Sequence, residues 1–272
     1  MTKRSEMKKL INYSTGRIHD LYDLLKLDKS SYTNETFHKL RVEIKKIRFL
    51  LKLADFSEGK PERNTKIKEV DKLFKKAGAL RDLQIMLPIL KKHSNKNLFS
   101  SLQKSVNEQI EKRKKKFYRQ LDKIKHESLK QDLLDLKSSI YKTDGDKLSA
   151  FEKYFKEKCI KLLRKGEKQR SAMSSPQQIK DEAIHSVRKI LKLLTYCDKL
   201  NAKDDKKSGF EKLSNVIGKW HDYLICIEQL NEIKFSTKNA SSLKNLIATL
   251  KNLASKSRAE ILVQSKKSLF LN

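Results

Sequence analysis

Five cationic side chains, His38, Arg41, Lys45, Arg48 and Lys52, recur at alternating spacings of three and four residues through the stretch HKLRVEIKKIRFLLKLA. On a helix that spacing puts them on one face, and at about 1.5 Å per residue the stripe runs roughly 21 Å. Such a length suits an extended polyanion better than a single phosphate. Arginine brings a planar fork of donors that matches phosphate oxygens, lysine brings point charge, and histidine brings a contact that depends on its protonation. A second copy opens at His185, where HSVRKILKLLTYCDKL carries His185, Arg188, Lys192 and Lys199 in the same register and departs only at Thr195.

The element that must carry this stripe is amphipathic. Phe37, Leu40, Ile44, Ile47 and Leu51 lie one residue ahead of the cations, about 100° away around the helix. A run of charge on a helix is ordinarily a solvated face. Here it adjoins an apolar edge instead of opposing it, so the charges sit beside a helix-helix seam. Arginine and histidine also lead each copy in a chain whose surface is otherwise dominated by lysine.

Composition agrees with an anionic partner. The 272 residues hold 63 Lys plus Arg against 33 Asp plus Glu, a formal charge of +30 that the chain cannot neutralise itself. Apolar residues are sparse at 38% but periodic throughout, which argues for long amphipathic helices and against disorder. No apolar run follows the basic N-terminus, and the longest strongly apolar stretch is the short IMLPIL at 85 to 90. Neither secretion nor a membrane partner is indicated. Cys159, Cys197 and Cys226 are odd in number and widely spaced among apolar residues, so they read as core thiols in a reducing cytoplasm.

The fold reads as all-α, since no segment alternates as a strand would. Helices are expected at about 3–27, 34–55, 62–92, 97–142, 147–168, 176–200, 208–234 and 239–269. Breaker clusters at 55–64 and 201–210 fall at matching places in two halves, and TDGD at 143–146 is the expected joint. Ser175, Pro176 and Gln178 form a helix start, and Pro88 is expected to kink the third helix. The stretch KLFKKAGALRDLQIMLPIL from Lys72 aligns with KLSNVIGKWHDYLICIEQL from Lys212, pairing Gly78 with Gly218, Arg81 with His221 and Asp82 with Asp222. A helical glycine costs about 1 kcal/mol against alanine, so its recurrence implies close approach of another helix. Two four-helix bundles related by pseudo-two-fold symmetry satisfy the repeat.

These positions resemble the CHAD family, the conserved histidine α-helical domain, over essentially the whole chain. The family's first signature, His-x-x-Arg-Val-x-x-basic-basic-x-Arg, falls on His38, Arg41, Val42, Lys45, Lys46 and Arg48, and its Arg-Asp signature on Arg81 and Asp82. In the second half His185, Arg188, Lys192 and Tyr196 occupy the motif, with Thr195 replacing an arginine, and His221 and Asp222 stand for the last signature. The resemblance implies a single domain over 1–272 built from halves 1–145 and 146–272, with a basic central groove or pore. It further implies non-catalytic binding of inorganic polyphosphate, at polyphosphate granules in the cytoplasm. The enzyme domain fused to some relatives, a triphosphate tunnel, has no counterpart here.

The expected polyphosphate-binding residues are His38, Arg41, Lys45, Lys46, Arg48, Lys52, Arg81, His185, Arg188, Lys192 and His221. Lys161, Arg164, Lys165 and Lys168 are further candidates, and Asp82 and Asp222 are expected to hold cations of the stripe in place. The run EKRKKKFYR at 111–119 reads as a solvated outer face. Six histidines without a His-x3-His or mixed Cys/His cluster give no metal site, and no cofactor is implied. Two other readings stay open. Nucleic acid would be attracted by the charge, although only 7% of residues are aromatic and no base-reading motif is present. Phosphoryl transfer on His38 or His185 ranks last, because the neighbouring cations favour holding phosphate over passing it on.

Overall fold

The structure is a computed structural model and describes residues 3–143, 145–171, 181–201, 209–232 and 240–269. Among these residues it contains nine α-helices, one short 3-10 turn at Lys29–Ser31, and no strand. The helices are α1 (Lys3–Lys26), α2 (Asn34–Ser57), α3 (Lys68–His93), α4 (Lys96–Leu121), α5 (His126–Tyr141), α6 (Gly145–Ser171), α7 (Asp181–Asn201), α8 (Gly209–Glu232) and α9 (Ala240–Leu269). The fold is all-α, as the apolar periodicity requires.

Helix α2 shows how local sequence sets the frame. The Thr33 hydroxyl accepts from the Thr36 amide at 3.2 Å, satisfying one of the free donors at the helix start. Gly59, at φ 77, follows its end and takes the left-handed conformation that glycine adopts without strain. Between them Phe37, Leu40, Ile44, Ile47 and Leu51 are all buried, so the apolar edge next to the cations does face the core. Asp55, 3% exposed, accepts from the Thr65 amide at 3.0 Å and the Thr65 hydroxyl at 2.5 Å. That tie holds 58–67 as a loop and delays α3 to Lys68, later than the expected 62.

The helix expected at 97–142 is two helices. No glycine or proline marks the break at 122–125. Tertiary contacts make it instead: Ile124 is buried, the Lys125 amide donates to the Glu69 carboxylate at 3.0 Å, and Lys29 pairs with Asp122 at 2.8 Å. Beyond the break, α5 buries Leu129, Leu133, Leu136 and Ile140 and packs on α1 and α2. The first half therefore has five helices rather than four. Helix α3 passes through Pro88 and ends at His93. The helix start at Ser175, Pro176 and Gln178, most of the 201–210 loop and Asp144 of the joint lie outside the described residues.

The order of packing repeats. Helices α1 to α4 pack each on the next, and α6 to α9 do the same, with α5 as the addition. Across the halves α3 packs on α8, while α1 and α2 meet α6 and α7. The two copies of the repeat, α2 with α3 and α7 with α8, are thereby brought against each other. The three cysteines are buried and unpaired, as core thiols should be.

The paired glycines behave differently from their expected common role. An added Cβ at Gly218 would meet nothing within 4 Å, so no helix approaches there. Gly218→Ala is therefore expected to stabilise the protein by about 0.5–1 kcal/mol, the helix-propensity difference alone, measured by urea unfolding. A destabilised variant would show that the position is crowded after all.

Candidate anion-binding site

Four helices contribute to one cluster of charge. Arg41 and Lys45 from α2, Arg81 and Asp82 from α3, Arg188 and Lys192 from α7, and His221 and Asp222 from α8 interact electrostatically with one another. His38 joins through Arg81, Lys45 and Arg41. His185 joins through Arg188 and through ring contact with His221, centroids 5.1 Å apart and nearly perpendicular, and its ring also lies 5.1 Å from that of the buried Trp220. Residues some 140 positions apart in sequence thus share one site, because α2–α3 and α7–α8 face each other.

The arginines are fixed by packing rather than left to wave. The Phe74 ring takes the Arg41 guanidinium at 4.6 Å and the Arg48 guanidinium at 3.7 Å, both within cation–π range. Arg41 Nη1 donates to the Phe74 carbonyl at 3.3 Å, and Arg48 pairs with Asp71. Gly78 makes this seat possible, since a Cβ there would stand 2.6 Å from Arg41 Nη1. The close approach inferred from the glycine is real on this side, but it is made by a guanidinium and not by a helix. Gly78→Ala should displace Arg41 while leaving the helix intact, weakening polyanion binding about tenfold with little change in melting temperature. Unchanged affinity in a titration would show that the Arg41 seat does not matter.

Electrostatically the site is under tension. Burial, reinforced by Arg41, Arg188, Lys192 and Arg48, pushes the Lys45 amine down to about 8. Burial, with Arg188, His185, Lys45 and Arg41 adding to it, pushes the His221 imidazole down to about 4. His38 and His185 are lowered for the same reasons, burial first. Burial raises both Asp82 and Asp222, against the pull of Arg41 on the first and Arg188 on the second. Arg188 interacts electrostatically with both carboxylates, yet its Nε is buried and finds no hydrogen-bond partner among the described residues. A cation-rich cluster with an orphaned donor has the chemistry to hold anionic oxygens.

Other expected residues are placed elsewhere. Lys46 binds Glu43 at 2.7 Å, and Glu43 also takes Arg17 of α1 at 3.1 Å, so Lys46 belongs to an ion-pair group on the α1 side. Lys52 donates to the Arg63 carbonyl at 2.6 Å, tying the far end of the stripe to the 58–67 loop. Lys161 and Arg164 are exposed on α6, and the side chains of Lys165 and Lys168 lie outside the described residues.

Arg113 departs from the solvated face expected for 111–119. It donates to the Ala79 carbonyl at 2.5 Å and to Gln229 Oε1 at 2.7 Å, bridging α4, α3 and α8, and it faces Asp82. Its signal was its place in the apolar stripe of α4, between the buried Ile110 and Phe117.

Residues 20–230 match the family model described as the CHAD domain. Among solved structures, the crystal structure of the CHAD domain from the plant Ricinus communis is similar with a TM-score of 0.72 at 15% identity, covering 98% of this chain and 92% of that chain. No curated protein matches the sequence.

Proposed function

We propose, from the premise that this chain belongs to the CHAD domain family, that it binds inorganic polyphosphate without transforming it. The ligand would lie against the cluster shared by α2, α3, α7 and α8. The observation that carries this reading is the convergence of Arg41, Lys45, Arg81, Arg188 and Lys192, from three separate helices, on a place where Asp82 and Asp222, with Glu211 beside Lys192, are the counter-charges acting on them among the described residues. Arg41 and Arg188 serve as multi-donor contacts, Lys45 and Lys192 as point charges, and His185 and His221 as donors whose charge follows the ligand. Repeated anionic units on one connected chain release many counterions at once, which favours a long polymer over free phosphate. The protein would accordingly be found on polyphosphate granules in the cytoplasm. Among the described residues no helix is long and apolar enough to cross a membrane.

The test is a competition assay at about 150 mM salt, with long-chain polyphosphate set against orthophosphate, short chains, duplex DNA and RNA. Long-chain polyphosphate should bind orders of magnitude more tightly than orthophosphate and displace both nucleic acids. Equal affinity per phosphate at every chain length would remove the reading, and preference for DNA or RNA would replace it with the nucleic-acid one.

A further inference from the structure

Lys45 is set apart from the other lysines of its stretch on α2. Lys46, the next residue, is tied to Glu43 at 2.7 Å, and Lys52 to the Arg63 carbonyl at 2.6 Å. The Lys45 amine makes no hydrogen bond or ion pair among the described residues, is only partly exposed, and is surrounded by the guanidinium groups of Arg41, Arg48 and Arg188 and the ammonium of Lys192. A primary amine without a partner, set inside a ring of phosphate-binding cations, combines a nucleophile with a recognition site for a phosphorylated electrophile.

We propose that Lys45 is a site of acylation by small acyl phosphates, the arginines around it binding the phosphate end of the donor while the amine attacks its carbonyl carbon. A carbon–nitrogen bond forms to Lys45 Nζ, and the bond from the carbonyl carbon to the bridging oxygen breaks. Inorganic phosphate departs with that electron pair, and the proton lost from the amine passes to it or to water. No further reactant is required. The cations that bind the phosphate also stabilise it as a leaving group, so the same geometry serves recognition and reaction.

The reactive form is the neutral amine, and the surroundings favour it. In the free site, with its ionisation pushed down to about 8, Lys45 is neutral in a fraction on the order of one in ten at pH 7, against about one in three thousand for an ordinary lysine; a bound phosphate end raises that ionisation, so the neutral fraction in the encounter complex falls between these limits. The groups that set this come from each helix packed there. Arg41, Arg48 and His38 share α2, Arg188 and Lys192 lie on α7, and His221 and the opposing charge Asp222 lie on α8. Acylation would delete a positive charge at the centre of the site and fill space beside Arg41 and Arg188. Resting on the polyphosphate reading, its consequence is that acylated protein releases polyphosphate, linking occupancy to the supply of acyl phosphate.

The experiment incubates the full chain with acetyl phosphate between about pH 7 and 8.5 and follows each lysine by peptide mass spectrometry. Lys45 should be acetylated at least tenfold faster than the exposed Lys112, Lys115 and Lys116, with a rate that saturates in acetyl phosphate and is suppressed by excess orthophosphate. Lys45→Arg should remove the fast label and leave the slow ones. A neutral acetyl ester of similar reactivity should keep only the share of the preference that the neutral amine supplies, and should show neither saturation nor suppression by orthophosphate, since it offers nothing to the arginines. Labelling of Lys45 no faster than of the surface lysines, or an equal preference with the neutral ester, overturns the proposal. Polyphosphate binding by unlabelled protein is measured in parallel. Fast labelling without such binding supports the acylation site and rejects only the polyphosphate reading.

Discussion

Replacing Arg41 and Arg188 together by glutamate should lower polyphosphate affinity on the order of a thousandfold at about 150 mM salt, whereas replacing Lys112 and Lys116 should lower it less than tenfold. Both variants lose the same net charge. The first pair lies in the interior cluster, where each arginine offers multi-donor contacts and where screening is weak, and each such charged contact is worth about 1.5–3 kcal/mol. The second pair is exposed on α4 and contributes only screened, long-range attraction. Affinity is read by isothermal titration, and melting curves check that each variant folds. If glutamate beside Asp82 proves too disruptive, Arg41→Gln with Arg188→Gln should still cost more than the lysine reversals. Equal losses in the interior and exterior variants would make the protein a diffuse polycation, with no role for the repeated motif.

Why the interior positions were legible from sequence follows from periodicity. The cations of α2 hold a fixed offset from Phe37, Leu40, Ile44, Ile47 and Leu51, and burial of that edge leaves His38, Arg41, Lys45 and Arg48 along one side of the helix. The second copy, aligned by His185 and Arg188, then names the facing helix. Lys46 and Lys52 share the stretch but not the outcome. A buried Glu43 captures the first and a loop carbonyl the second, and neither partner is evident without the fold.

The misreadings have one origin, contacts between segments distant in sequence. The α4–α5 break at 122–125 is imposed by Glu69 and Lys29, residues 56 and 93 positions away from their partners, in a segment with no local breaker. Arg113 looked like one cation among many until Ala79 and Gln229 received it. Gly78 and Gly218 align in sequence, yet only Gly78 meets an arginine, because the residue aligned with Arg41 in the second half is Arg188, whose neighbours are Asp222 and Asp82. A repeat in sequence therefore predicts the scaffold better than it predicts each contact. The paired carboxylates follow the same rule, since Asp82 and Asp222 each interact electrostatically with arginines of both halves, a relation no single copy of the repeat contains.

Binding should also strengthen as pH falls, in two stages that belong to different residues. In the free protein Lys45 is pushed down to about 8 and His221 to about 4, with His38 and His185 lowered as well, because burial and surrounding cations disfavour their charged forms. Bound phosphates supply negative charge and raise all of them. A group whose ionisation is raised by the ligand adds affinity as pH falls through its value in the complex, and the gain is complete once pH is below its value in the free protein. For Lys45 the gain therefore arrives above pH 8 and is finished by about 8. For the histidines it arrives below, as pH falls through their raised values in the complex, and for His221 it is complete only near pH 4, one linked proton giving up to about tenfold per pH unit. Asp82 and Asp222, already raised by burial, add proton uptake only at the acid end. Changing His38, His185 and His221 to glutamine retains hydrogen-bond donors without the titration, and should flatten the limb below neutral pH while leaving the limb above 8. Lys45→Arg should do the reverse. Titration calorimetry in buffers of different ionisation enthalpy reads the proton uptake directly. Its absence between about pH 7 and 5, or a profile unchanged in the triple variant, would assign these histidines to packing, with Trp220 and His221 as ring contacts of His185 and no share in the ligand.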